Sequence, residues 1–136
     1  ELVGIVHRSH VCAQRGRMTA GDIVDDPYLA HALTPQRGFE FVNLFTTGRQ
    51  VPRYIARIES LSAIIALVAG ARGVSIQPGS AIRQAVAAGS IVAVPLSPKP
   101  IRLPWHLHMH PAALALHGEH MLGEIAAVLR SHLYAA

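Results

Sequence analysis

The chain has 136 residues, 51% hydrophobic and 15% charged, a composition that suits one folded domain with a real core and excludes generic disorder. Its longest nearly uncharged apolar run, residues 61–71, is about half of the ~20 residues a membrane-spanning helix needs. The formal net charge is +4, and the arginines are scattered from Arg8 to Arg130 without the clustered basic face that a nucleic-acid reader shows.

Short apolar runs and helical stripes alternate along the chain. Residues 2–6 read as a buried strand. Thr19 and Asp22 have the spacing of an acidic capping box, opening a single turn that Pro27 stops. Residues 28–33 read as a second strand. The spacing predicts a helix over 38–47, with Phe41, Leu44 and Phe45 on one stripe and Gly48 as its stop. A third strand is expected over 54–58. The clearest helix follows, with Ser60 as N-cap and Leu61, Ile64, Ile65 and Val68 at the spacing of one buried face; it ends at Gly70. Residues 74–77 form a strand halted by Pro78, residues 80–88 a short helix halted by Gly89, and residues 91–96 a fifth strand. Residues 97–100 (SPKP) are a stiff linker. The alternation over 103–110 predicts a strand ending at Pro111. Met121, Leu122, Ile125, Val128, Leu129 and Leu133 mark a C-terminal amphipathic helix.

Strands alternating with helices imply an α/β fold, with a mostly parallel sheet covered by helices on both faces. In such sheets ligands bind beyond the carboxyl ends of the strands. Residues 34–39, 59–62 and 77–80 are therefore expected along one rim, where helix-start N–H groups can donate to a carboxylate or phosphate. Arg37, between Pro35 and Gly38, suits the same small anionic ligand and equally a solvated loop.

Two other constellations have a chemical reading and a packing one. His106, His108 and His110 alternate with Trp105, Leu107 and Met109, which would put three imidazoles on one side of a strand. No cysteine or carboxylate stands at ligand spacing with them, so a polar outward face is preferred to a metal site. Cys12 has His7 and His10 nearby but no orienting third residue, so a structural thiol is preferred to a catalytic one. As the one cysteine, it suits a reducing cytosol. Neither a Gly-x-Ser-x-Gly elbow nor a phosphate-loop or dinucleotide glycine fingerprint is present.

The string IESLSAIIALVAGARGVSIQPGSA, residues 58–81, resembles the effector-binding domain of LysR-type transcriptional regulators, which carry a helix ending in LVAAG, then GxGI, a short strand and a proline. The opening, ELVGIVHRSHVCAQRGRMTAGDIVDDPYL, is similar to the family's strand, His-Pro-Leu-Ala and second strand, with Val11 in place of the proline. The closing strand and helix match as well, so the resemblance covers nearly the whole chain.

The resemblance implies a periplasmic-binding-protein-like α/β fold in which two subdomains flank a cleft. Residues 8–97 would form one complete subdomain. Residues 103–136 would contribute the strand and helix that return to the other, most of which these residues do not contain. It also implies a non-enzymatic cytoplasmic sensor without a cofactor, whose partners are a small anionic or aromatic effector, a second copy (as homodimer or homotetramer), and DNA only through a helix-turn-helix domain outside these residues. The implied effector contacts are Leu33, Thr34, Pro35, Gln36, Arg37 and Phe39, with Gln77 and Pro78 across the rim. The alternatives are a solute-binding protein of a transport system, which shares the fold, and a metalloenzyme built on the histidine-rich strand. Separately, the apolar residues of the C-terminal segment lack a sheet to cover them, so the chain is expected to dimerise or to display an apolar patch.

Overall fold

The structure, a computed structural model, describes residues 1–31, 39–46, 49–104, 106, 108 and 110–134. It comprises two compact units, Glu1–Leu103 and Pro104–Ala136.

The first unit is built on five strands: β1 (Leu2–Val6), β2 (Pro27–Ala30), β3 (Tyr54–Arg57), β4 (Ser75–Pro78) and β5 (Val92–Pro95). β1 lies between β4 and β5 and is antiparallel to both, with Gly4 opposite Ile76 on one side and Val94 on the other. β2 and β3 pair in parallel, Tyr28 opposite Ile55. A parallel bridge between Tyr28 and Val74 joins the two sheets. β2 to β5 consequently all point one way, and β1 alone is reversed. The expectation of a mostly parallel sheet is thus corrected to a mixed one, since both ladders of the central strand are antiparallel. A short apolar run reads the same in either direction once both its faces are covered.

β1 shows the period of two expected of a strand covered on both sides. Leu2 and Val6 join a core with Met18, Tyr28, Phe45, Val94 and Leu96. Val3 and Ile5 turn the other way, toward Leu29, Ile64, Val68 and Ile82. The second core lies under α2 (Leu61–Ala69) and α3 (Gly79–Ala87). The first lies under α1 (Val11–Arg15), a 3-10 turn over Ala20–Ile23 and a π-helix over Phe41–Thr46. Helices therefore cover both faces. The unit also includes the whole of β1, which supplies side chains to both cores.

Caps fix the helix starts. Ser60 Oγ accepts from Ala63 N–H at α2. At α1, His10 Nδ1 accepts from Cys12 N–H, and Gly16, at φ 71°, closes the turn in the left-handed region. The capping box is present: Asp22 accepts from both the N–H and the hydroxyl of Thr19, at 2.7 Å each, and pairs with the Arg15 guanidinium. Burial works against the charged form of Asp22, yet the hydrogen bonds from Arg15 and Thr19 outweigh it and hold the carboxyl down at about 2.

Two elements differ from expectation. Where an α-helix is predicted over 38–47, the described residues form one helical step at Phe39 and Glu40, then the π-helix; Gly38, Thr47 and Gly48 lie outside the described residues. The cause is local. The Asn43 side-chain amide donates to Phe39 O at 2.7 Å and the Thr46 hydroxyl to Phe41 O at 3.2 Å, so side chains engage carbonyls that an α-helical backbone would use. The strand predicted over 103–110 is also corrected. Among the described residues the pairing falls on Ile101, whose carbonyl accepts from Leu2 N–H at 2.7 Å, and none from Leu103 to His110 joins a ladder. Pro100 and Pro104 flank that bridge and cannot donate to one.

The second unit contains α4 (Pro111–Tyr134), interrupted at Gly118, where φ is 67° and ψ 175°. Val128 and Leu129 of the predicted stripe are exposed, whereas Met121, Leu122 and Ile125 are half-buried. Among the described residues no helix is long and apolar enough to cross a membrane.

Gly73, at φ 153°, precedes the bridge between the sheets, and a Cβ there would stand 2.4 Å from Pro27 O. Gly73→Ala should therefore lower the unfolding free energy by about 2 kcal/mol or more in urea denaturation; a variant as stable as the parent would contradict this close approach. Asp22 gives a second expectation. Its folded value lies below the 3.8 of an ordinary aspartate, so its contribution is present in full above about pH 4 and is lost as pH falls through about 2. Asp22→Asn should cost about 1–2 kcal/mol at pH 7, with the difference from the parent closing by pH 2; a pH-independent difference would refute the assignment.

Candidate functional site

With β2 and β4 pointing the same way, their carboxyl ends share one edge of the first unit. Tyr28 of β2 is buried edge-on against Phe45, ring centroids 5.2 Å apart, and its hydroxyl donates to Glu40 Oε1 at 3.2 Å. Burial, reinforced by the Glu40 carboxylate, pushes the phenol well above its usual value, so it stays a donor. One residue beyond β2, His31 Nε2 lies 2.8 Å from Glu59 O. A carbonyl only accepts, so Nε2 carries the hydrogen.

The β4 side is tied down more deeply. The buried Ser75 hydroxyl donates to Leu29 O at 2.6 Å, and the Gln77 side-chain amide, 3% exposed, donates to Ser75 Oγ at 2.9 Å. Pro78 then ends β4 and caps α3, whose first N–H, from Gly79, donates to Glu1 O. Between these groups lies a cavity of about 210 Å³, lined by His31, Glu40, Gln77 and Pro78 and by apolar Leu2, Ile76 and Leu103.

Of the residues singled out in the sequence, Gln77 and Pro78 line this cavity. Phe39 is 37% exposed, one position before Glu40, and is not among the lining residues. Leu33, Thr34, Pro35, Gln36 and Arg37 lie outside the described residues. Sequence reasoning misses His31 and Glu40. It starts the rim at residue 34, but β2 ends at Ala30 and places His31 on the rim first. Glu40 reaches the site through its contact with Tyr28, a pairing across the fold that leaves no trace in local spacing.

Two further cavities lie elsewhere in this unit. One of about 300 Å³ is lined by His7, Ser9, His10, Asp26 and Arg72, among others, and one of about 440 Å³ by Thr19, Asn43, Gln50 and Lys99, among others. At the first, His10 is occupied on both ring nitrogens, capping α1 through Nδ1 and meeting Asp26 Oδ2 at 2.9 Å through Nε2. Cys12 is buried, and that burial pushes its thiol up, so this corner is structural. The His106 and His108 rings are 6.1 Å apart, and among the described residues no group of three His, Cys, Asp or Glu is arranged to hold a metal ion.

The model of the LysR substrate binding domain matches residues 1–128. The chain belongs to this family. The fold agrees with that of solved LysR domains. The regulatory domain of MetR, a LysR family regulator from N. meningitidis, is 22% identical with a TM-score of 0.69, covering 74% of this chain and 46% of that one. The BenM effector-binding domain with its effector benzoate is 23% identical, with a TM-score of 0.61 over 94% of this chain and 60% of that one. The QuiR effector-binding domain in complex with shikimate is 23% identical, with a TM-score of 0.59 over 85% and 56%. This LysR-family chain therefore spans about half the length of its solved neighbours, and its fold is the periplasmic-binding-protein-like α/β type. No curated protein matches the sequence.

Proposed function

We propose that the chain is the effector-sensing part of a cytoplasmic, non-enzymatic LysR-type transcriptional regulator, and that a small anionic or aromatic metabolite binds at the rim cavity. The observation that carries this reading is the cavity at the carboxyl ends of β2 and β4, lined by His31, Glu40, Gln77 and Pro78 in a chain of the LysR family. The effector contacts on this reading are Leu33, Thr34, Pro35, Gln36, Arg37 and Phe39, with Gln77 and Pro78 across the rim. Residues 103–136 would return to a second subdomain supplied by the rest of a longer regulator. A ligand that binds one relative orientation of the two subdomains more tightly would shift the pair toward it, because a ligand moves only an equilibrium whose states it binds differently. DNA would be contacted through a helix-turn-helix domain outside this chain, in a dimer or tetramer. The family match favours this regulator over a solute-binding protein of a transport system.

The test is a two-dimensional NMR titration with a metabolite set that includes benzoate and shikimate. A binder should shift the Gln77 side-chain amide and the His31 ring first. It should also stabilise the fold, by about 2.7 kcal/mol at one hundred times its Kd. Shifts confined to other surfaces, or no binder in the set, would contradict the assignment.

A further inference from the structure

The rim cavity has a polarity that family membership does not specify. Glu40 Oε1 accepts from the buried Tyr28 hydroxyl, which leaves Oε2 and the remaining lone pairs of the carboxylate without a described partner. The His31 ring donates through Nε2 to Glu59 O. The Gln77 amide directs one of its two N–H groups inward to Ser75 Oγ. Among the described side chains of the cavity, Glu40 thus presents an unused acceptor edge beside apolar Leu2, Ile76 and Leu103.

Resting on the rim-site reading, we infer that Glu40 determines specificity, selecting an effector that presents a hydroxyl or ammonium donor to its carboxylate. A bare ring carboxylate offers Glu40 Oε2 no donor. The same ring bearing hydroxyl groups, or the same acid bearing an α-ammonium, satisfies Glu40 with a charge-assisted hydrogen bond. A site built to hydrogen-bond a substrate group rejects the analogue that lacks it, because its own polar atoms are then left unpaired.

The experiment uses two matched pairs, shikimate against benzoate and phenylalanine against 3-phenylpropionate, titrated into the chain with the Gln77 and His31 signals as readout. Within at least one pair the donor-bearing member should bind about tenfold or more tightly than its partner. Glu40→Gln, which keeps an acceptor for Tyr28, should abolish that preference while leaving the weaker member's affinity within about twofold. Tighter or equal binding of benzoate and phenylpropionate by the parent would overturn the inference without any variant being made, and so would a preference that survives Glu40→Gln. If these ligands bind but shift only residues away from the rim, the rim-site reading itself fails, and this inference with it.

Discussion

The architecture hangs on the seam where β2 meets β4. Two backbone bonds, Leu29 N–H to Val74 O and Val74 N–H to Pro27 O, both 2.9 Å, make the bridge between the sheets, and the Ser75 hydroxyl adds a third contact to Leu29 O. All three are shielded by Leu29, Val74 and Ser75, which are buried. Hydrogen bonds of this kind contribute only about 1 kcal/mol each when made but cost more when one partner is left stranded without water. The seam therefore sets register more than it adds net stability. Gly73 permits the approach, because any side chain there would collide with the Pro27 carbonyl. With the seam in place, the ends of β2 and β4 fall side by side, and His31 and Gln77 come to share one cavity.

Much of this is legible in the residues, for reasons that differ from element to element. β1, α2 and the Thr19–Asp22 box are readable because their signals are local: an apolar run between turn residues, a Ser N-cap before a four-residue stripe, and a capping box whose partners are three positions apart. Strand direction is not legible. Apolar runs covered on both faces carry no mark of orientation, so the reversed β1 reads as one more parallel strand. The π-helix escapes a reading of spacing because Phe41, Leu44 and Phe45 fit an α-helical stripe; the deciding contacts are the Asn43 and Thr46 side chains on the carbonyls behind them.

The candidate site divides the same way. Gln77 and Pro78 can be found because a proline after a short strand marks the carboxyl end of the sheet, where α/β folds place their ligands. The likeness to LysR domains points to the same two positions. Glu40 and His31 cannot, since their partners, Tyr28 and Glu59 O, lie far away in sequence. The histidine near Cys12 shows the reverse case. Its proximity hints at chemistry, but both of its ring nitrogens serve the packing of α1 against the segment before β2.

The most direct measurement of the seam's role is native-state hydrogen exchange of individual amides. If the seam is the constraint on which the unit depends, the Leu29 and Val74 amides should exchange only through global unfolding. They would then belong to the slowest class, sharing one denaturant dependence with the core amides of β1. If instead Leu29 and Val74 exchange as fast as the outer residues of β3, with little dependence on denaturant, the two sheets open independently and the seam does not hold the unit together.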